Sequence, residues 1–277
     1  MTRLTRWWTA VLSLTPAALA AQGVIVAPHA VYIDHASRAG SVTLYNPGDQ
    51  PVEVSIGFAF GIPTTDSAGS VSIELADSAP TGQPSATTWL QAFPRRVTVG
   101  PQQRQTVRLL ATPPQGLADG EYWARLVVGA KGGQVPVAGV PDSGAVRVGL
   151  TLEVRTVLAV VYRKGALTTG LTLGAPSASY ARDTMAVRVP MTRTGTAAYL
   201  GTVEAHVLDA RDREVGSDVM PVAVYYGLDP RLEVPVGALA AGTYKVRVTV
   251  TTARTDLPAR VALPAPAYRD SVMVSVP

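Results

Sequence analysis

The stretch Ala145 to Arg163, AVRVGLTLEVRTVLAVVYR, constrains the fold more than any other part of this 277-residue chain. Val146, Val148, Leu150, Leu152 and Val154 alternate with Arg147, Gly149, Thr151, Glu153 and Arg155. Successive side chains of a strand point to opposite faces, so the pattern predicts a strand with one apolar and one polar face. From Val157 to Val161 the alternation stops and every residue is apolar. At about 3.3 Å per residue the run spans roughly 60 Å, several times an ordinary strand of about five or six residues. A strand that long either leaves its own domain or offers edge that its own sheet does not cover.

Shorter alternating runs recur through the first half, at Ser41 to Tyr45, Val52 to Phe60, Val71 to Leu75, Arg95 to Val99, Thr106 to Leu110 and Tyr122 to Val128. Turn signals separate them. In Asn46-Pro47-Gly48-Asp49, proline at the second position and glycine at the third suit a type II turn. The second half repeats the style at Thr184 to Pro190, Leu200 to Leu208, Glu214 to Tyr226, Tyr244 to Thr252 and Asp270 to Val276. Helix-period patterns are nearly absent. These features predict an all-β chain of two immunoglobulin-like β-sandwich domains in tandem, residues 21–163 and 164–277.

An internal echo supports two related units. Leu117-Ala118-Asp119-Gly120-Glu121-Tyr122-Trp123-Ala124-Arg125 recurs as Leu239-Ala240-Ala241-Gly242-Thr243-Tyr244-Lys245-Val246-Arg247. Each copy ends a loop at glycine and starts a strand with tyrosine, where the phenol can bond back to loop backbone.

Residues 1–20 read as a secretory signal peptide. Arg3 and Arg6 precede an apolar run, and Ala18 and Ala20 flank Leu19, so cleavage is expected after Ala20. The run is too short to span a bilayer as a mature helix, and no later segment reaches eighteen unbroken apolar residues. The expected location is therefore outside the cytoplasm, with no membrane insertion of the mature chain. That compartment permits disulfides, yet the chain has no cysteine, so neither disulfide staples nor thiolate chemistry is available. Removing Arg3 and Arg6 lowers the formal charge from +4 to +2, and the remaining acids and bases are interspersed. No basic block suggests a nucleic-acid partner.

Catalytic signatures are missing. His29 and His35 would share one face of a strand about 20 Å apart, too far to share a metal. There is no nucleophile elbow, zinc-protease helix, P-loop or dinucleotide turn. Asp209, Asp212 and Glu214 alternate with Arg211 and Arg213 in LDARDRE, which reads as a hairpin turn rather than a calcium site. Asp66 to Ser85, rich in Ser, Gly and Pro, reads as a mobile excursion. The expectation is a non-enzyme without cofactor or metal. A hydrolase or sugar-binding role rests on the permissiveness of the fold alone.

Several segments in order carry a resemblance. Ile25-Val26-Ala27-Pro28 leads into Ala30-Val31-Tyr32-Ile33-Asp34, then Arg38-Ala39-Gly40-Ser41-Val42-Thr43-Leu44-Tyr45-Asn46-Pro47-Gly48. Farther on stand Trp89-Leu90, Phe93-Pro94-Arg95-Arg96-Val97-Thr98-Val99, Gln105-Thr106-Val107-Arg108-Leu109 and Leu117 to Tyr122. Over roughly Val24 to Arg163 the chain resembles the first domain of the periplasmic pilus-assembly chaperones, the chaperone-usher or PapD-like family. The second half resembles that family only as a generic immunoglobulin-like sandwich.

The resemblance implies a periplasmic chaperone for pilus or surface-fibre assembly. Its clients would be incomplete pilin-like subunits, held by lending them a strand, and an outer-membrane usher would be a further partner. By position, Leu150, Leu152 and Val154 match the residues that insert into the client. Val146 and Val148 extend the stripe, and Gly129 to Gly144, with Val135, Val137 and Val140, would be the preceding loop. The exposed strand also admits self-association.

The basic pair with which the family anchors the client's terminal carboxylate falls on Ala30 and Ala159, so the sequence shows no carboxylate anchor. Arg38, Arg155 and Arg163 are the nearby bases. Burial of three to five apolar side chains contributes about 5 to 15 kcal/mol before ordering costs. One charged hydrogen bond contributes about 1.5 to 3 kcal/mol. Loss of the anchor thus bears on register more than on attraction. Two alternatives stay open. The alternating stripe can face its own sandwich core, and the chain can be a non-enzymatic cell-envelope module that kept the fold and lost the anchor.

Overall fold

The computed structural model describes residues 23–132, 152–258 and 261–277, and apart from a 3₁₀ position at Val261 the regular structure among them is strand. In chain order they are β1 (Ile25–Ala27), β2 (Ala30–Asp34), β3 (Ala39–Tyr45), β4 (Val52–Ala59), β5 (Pro63–Thr65), β6 (Val71–Ile73), β7 (Leu90–Phe93), β8 (Arg96–Val99), β9 (Arg104–Ala111), β10 (Gly120–Lys131) and β11 (Glu153–Lys164). The second half adds β12 (Thr169–Leu173), β13 (Ser177–Ala181), β14 (Thr184–Arg188), β15 (Met191–Gly195), β16 (Tyr199–Leu208), β17 (Glu214–Val224), β18 (Gly227–Leu228), β19 (Arg231–Pro235), β20 (Gly242–Thr251) and β21 (Tyr268–Val276).

Period-two patterning places the core. β4 buries Val52, Val54 and Ile56 and exposes Glu53, Ser55 and Gly57. β9 likewise buries Val107, Leu109 and Ala111 around exposed Arg108 and Leu110. Such half-buried pleated surfaces suit β-branched and aliphatic side chains. The first sandwich faces sheet β1-β3-β9-β7 against sheet β2-β11-β10-β4-β8. Ile33, Leu44, Leu109, Leu126 and Tyr162 fill the space between, fully buried.

Two segments change sheets. β1 pairs with β3, but after Pro28-His29 the chain continues as β2 in the opposite sheet, parallel to β11. β7 pairs with β9, and after Pro94-Arg95 the chain becomes β8 beside β4. Proline has no N–H to leave unpaired where a ladder is broken.

The second sandwich sets sheet β17-β16-β20-β21 against the three-stranded sheets β12-β15-β18 and β13-β14-β19. Met185, Tyr199, Leu232, Val246, Val248 and Val250 lie in its core. Both tyrosine corners form. Tyr122 Oη donates to Ala118 O at 2.9 Å and Tyr244 Oη to Ala240 O at 3.0 Å. Gly120 and Gly242 precede them at φ 154° and 157°, which side chains rarely adopt.

Three local expectations are corrected. Gly48 does not take the positive φ of a type II turn. Asn46, fully buried, organises the loop instead: its Oδ1 accepts from Gly48 N at 2.9 Å, and its Nδ2 donates to Gln50 O and Val99 O at 2.7 and 3.0 Å. Side-chain bonding of this kind replaces the backbone turn. His29 and His35 flank β2 rather than lying on it, and His35 Nδ1 bonds Tyr162 Oη.

The segment Asp66 to Ser85 is not wholly an irregular excursion. β5 and β6 form a hairpin whose tip docks on the second sandwich, with Arg188 Nη1 donating to Ser67 O at 2.7 Å and Arg231 N to Gly69 O at 3.0 Å. Gly69 has φ +86°, and a Cβ there would sit 2.6 Å from Arg231 Cβ. Small residues permit this close approach. The LDARDRE turn joins β16 to β17 as expected, with Asp209 accepting from Arg211 N, Arg213 N and the Arg213 guanidinium.

Candidate functional site

β11 is covered unequally on its two edges. β10 pairs with all of it, from Glu153 opposite Lys131 to Lys164 opposite Gly120. β2 pairs only with Ala159 to Arg163. Among the described residues, Glu153 to Leu158 therefore have no strand on their outer edge. The cause lies in the crossing at Pro28-His29, because the residues that would have extended β2 backward along β11 pair with β3 in the other sheet.

The apolar stripe keeps its parity along this strand. Leu158, Val160 and Tyr162 point into the core and are buried. Val154 and Leu152 carry the same face past the end of the core, where they are 37% and 47% exposed. The two readings of the stripe thus meet in one strand: its C-terminal half faces the sandwich, and its N-terminal end projects beyond it. Val146, Val148, Leu150 and the loop residues Val135, Val137 and Val140 lie outside the described residues, as does the expected leader. On the outer face Arg155 is paired with Glu153 at 2.9 Å, and Val157 is 38% exposed.

At the closed end of the free edge lies a cleft of about 900 Å³ between the sandwiches, lined in part by Pro28, Ala30, Val157, Ala159, Arg125 and Arg254. Ala30 and Ala159 are register partners, and Ala159 is also the partner of Arg125. One row therefore crosses three strands as Arg125, Ala159, Ala30.

The wall is built on the outer face of β10. Glu121, Trp123 and Arg125 alternate with core residues and would be solvated on an isolated sandwich, but here they are 2%, 2% and 6% exposed. Trp123 packs edge-to-face on Tyr225 and Tyr226 at centroid distances of 4.7 and 5.5 Å. Glu121 accepts from Arg163 Nε at 2.9 Å, Trp123 Nε1 at 2.9 Å and Ala198 N at 2.8 Å, tying β10, β11 and the second sandwich together. A buried charge persists only with such partners. Burial raises the Tyr32 pKa to about 12, and Tyr225 close to it also pushes upward. Burial likewise raises Tyr225, against the lowering effect of Arg125.

The cations differ in what they already hold. Arg163, a nearby base in the sequence, is committed to Glu121 and to Val261 O at 2.8 Å. Arg38 sits in the turn after β2, donating to His35 O. Arg254 is engaged by both Asp256 oxygens at 2.6 Å, which holds the Asp256 carboxyl below its usual range. Arg125 donates Nε to Gly61 O at 2.7 Å, but its buried Nη2 has no hydrogen-bond partner among the described residues. Sequence reasoning passed over Arg125. Its one local signal is the run Glu121, Trp123, Arg125 at strand spacing, two charges and an indole on a face that should otherwise be plain.

No family model matches the chain, and no curated protein matches it in sequence. Solved structures similar to it include the YadV chaperone, at 15% identity over 90% of this chain and 98% of that one, with a TM-score of 0.46. The E. coli chaperone DraB is 15% identical over 82% of this chain and 89% of that one, TM-score 0.42. The Salmonella enterica SafB chaperone with its SafA pilin gives 12% over 91% and 97%, TM-score 0.40.

Proposed function

We propose that the chain is a non-enzymatic periplasmic chaperone that holds incomplete pilin-like subunits for pilus or surface-fibre assembly, lending them the free edge of β11. The observation that carries this reading is the outer edge from Glu153 to Leu158, unpaired among the described residues, with Leu152 and Val154 exposed on the face that continues the core stripe. An added strand would satisfy the open backbone groups, and a client groove would take the apolar side chains. Val146, Val148 and Leu150 extend the stripe in this reading. A leader removed after Ala20, a boundary between units at Arg163 and Lys164, and hand-over to an outer-membrane usher belong to the same proposal.

The test is Leu152→Asp with Val154→Asp. Both side chains lie past the core, so thermal unfolding should stay close to wild type while periplasmic co-purification of a stoichiometric, strand-deficient subunit falls at least about tenfold. Undiminished capture by the doubly substituted protein would sink the proposal.

The adjacent Ala30 and Ala159 favour a second reading, an envelope module that kept the fold without client capture. Recovery of a stoichiometric client lacking its last strand removes it.

A further inference from the structure

We infer that a second copy of this chain docks on the outer face of the second sandwich's four-stranded sheet. The two copies are related by a two-fold axis that runs along the strands between β16 and β20. Strand lending plays no part in this contact.

Charge divides that face into two halves. The strand order is β17-β16-β20-β21. The outward acids Glu204 and Glu214 stand on β16 and β17, and the outward bases Lys245, Arg247 and Arg269 stand on β20 and β21. Glu204 is opposite Thr249, which separates it from Arg269, and His206 is opposite Arg247. Within one copy the halves do not satisfy each other. Both acids turn to His206, whose Nδ1 lies 2.8 Å from Glu214 and whose Nε2 lies 3.8 Å from Glu204. Lys245, Arg247 and Arg269 make no ion pair among the described residues. Hydrogen bonds from Ser217 and His206 hold the Glu214 carboxyl below its usual range, so this acid stays charged.

The same face carries the two most exposed large apolar side chains among the described residues, Val219 at 57% and Met273 at 61%. Val219 lies on β17 in the row of Glu204, and Met273 lies on β21 opposite Lys245. A single exposed apolar side chain is ordinary. Here one stands on each edge strand, beside charges of opposite sign. At its other end the face is already covered, with Leu200 and Ala223 packed against the Trp123 cluster.

Symmetry selects the occupant. A two-fold axis along the strands sets β17 of one copy over β21 of its partner and β16 over β20. Each acidic half then meets a basic half, twice, with Val219 at one edge and Met273 at the other. A two-fold axis across the strands would set β17 over β17 and bring like charges together. The face is thus complementary to itself, as an isologous contact requires.

The test is sedimentation velocity of the full-length chain over a concentration series. The expected result is a dimer with a dissociation constant of about 1 to 100 µM at about 0.05 M salt, weakened at least about tenfold at about 0.5 M. Two variants reverse one half each: Arg247→Glu with Arg269→Glu, and Glu204→Arg with Glu214→Arg. Each alone should be monomeric with a melting temperature near that of the unsubstituted protein. An equimolar mixture of the two should regain the dimer, because an all-acidic face then meets an all-basic one. The salt dependence of the unsubstituted protein stands even where a variant fails to fold. A monomer at every concentration overturns the inference and leaves the face to solvent or to a different protein. A mixture of folded variants that stays monomeric overturns the pairing of the halves. A dimer that survives both reversals but is lost in Leu152→Asp with Val154→Asp also overturns it, assigning self-association to the edge of β11.

Discussion

The two copies of the tyrosine-corner segment agree on one face and part on the other. Tyr122 and Tyr244 make the same bond back to a carbonyl four residues earlier, at 2.9 and 3.0 Å. Inward, Ala124 and Leu126 match Val246 and Val248 as core residues. Outward, Glu121, Trp123 and Arg125 are buried under the second sandwich, whereas Thr243 and Arg247 are exposed and Lys245 half-buried. A sandwich needs only the inner face to fold. The outer face is free to take on another task, and in the first copy it forms the wall of a cleft.

Trp123→Ala tests this division most severely. It should cost about 3 to 5 kcal/mol in chemical denaturation through loss of the Tyr225 and Tyr226 contacts, against less than about 0.5 kcal/mol for Lys245→Ala at the matching position. Similar losses at both sites would mean that the outer faces are not used differently.

The corners themselves should behave alike. Tyr122→Phe and Tyr244→Phe should each lose about 0.5 to 1.5 kcal/mol, the net contribution of one hydrogen bond. A gap above about 1 kcal/mol between them would break the equivalence.

The gentlest probe is alkaline titration. Because the Tyr32 pKa is raised to about 12, the fold favours its neutral phenol. Stabilisation from this group is complete below the ordinary value near 10 and is lost as pH rises through 12. Absorbance at 295 nm should show this phenol ionising late, with the melting temperature falling over the same interval. A Tyr32→Phe protein whose melting temperature falls identically would assign that loss elsewhere.

Legibility followed the range of the interactions. β4, β9, β16 and β20 were readable because each buries every second residue, a property of a few consecutive positions. The corners were readable because phenol and acceptor lie four residues apart. The docking of the β5–β6 hairpin was hidden, since Arg188 and Arg231 stand more than a hundred residues away. Arg125 was hidden for the same reason: on its own strand it reads as a solvated outward residue, and its partners Gly61 and Tyr225 lie in distant connections, after β4 and after β17.

The stripe through Leu152 and Val154 shows where the division falls. Local alternation determined that this face is apolar and that the chain is all-β, and with the turn signals and the repeated tyrosine segment it determined the grouping into two sandwiches. Only tertiary structure decided that the stripe leaves the core before Val154 and that, among the described residues, no strand covers the outer edge of Glu153 to Leu158. It alone also placed Arg125 in the row with Ala159 and Ala30. Patterning sets which way a side chain points relative to its own strand. Which strand lies alongside depends on where a distant segment, here the crossing at Pro28-His29, changes sheets.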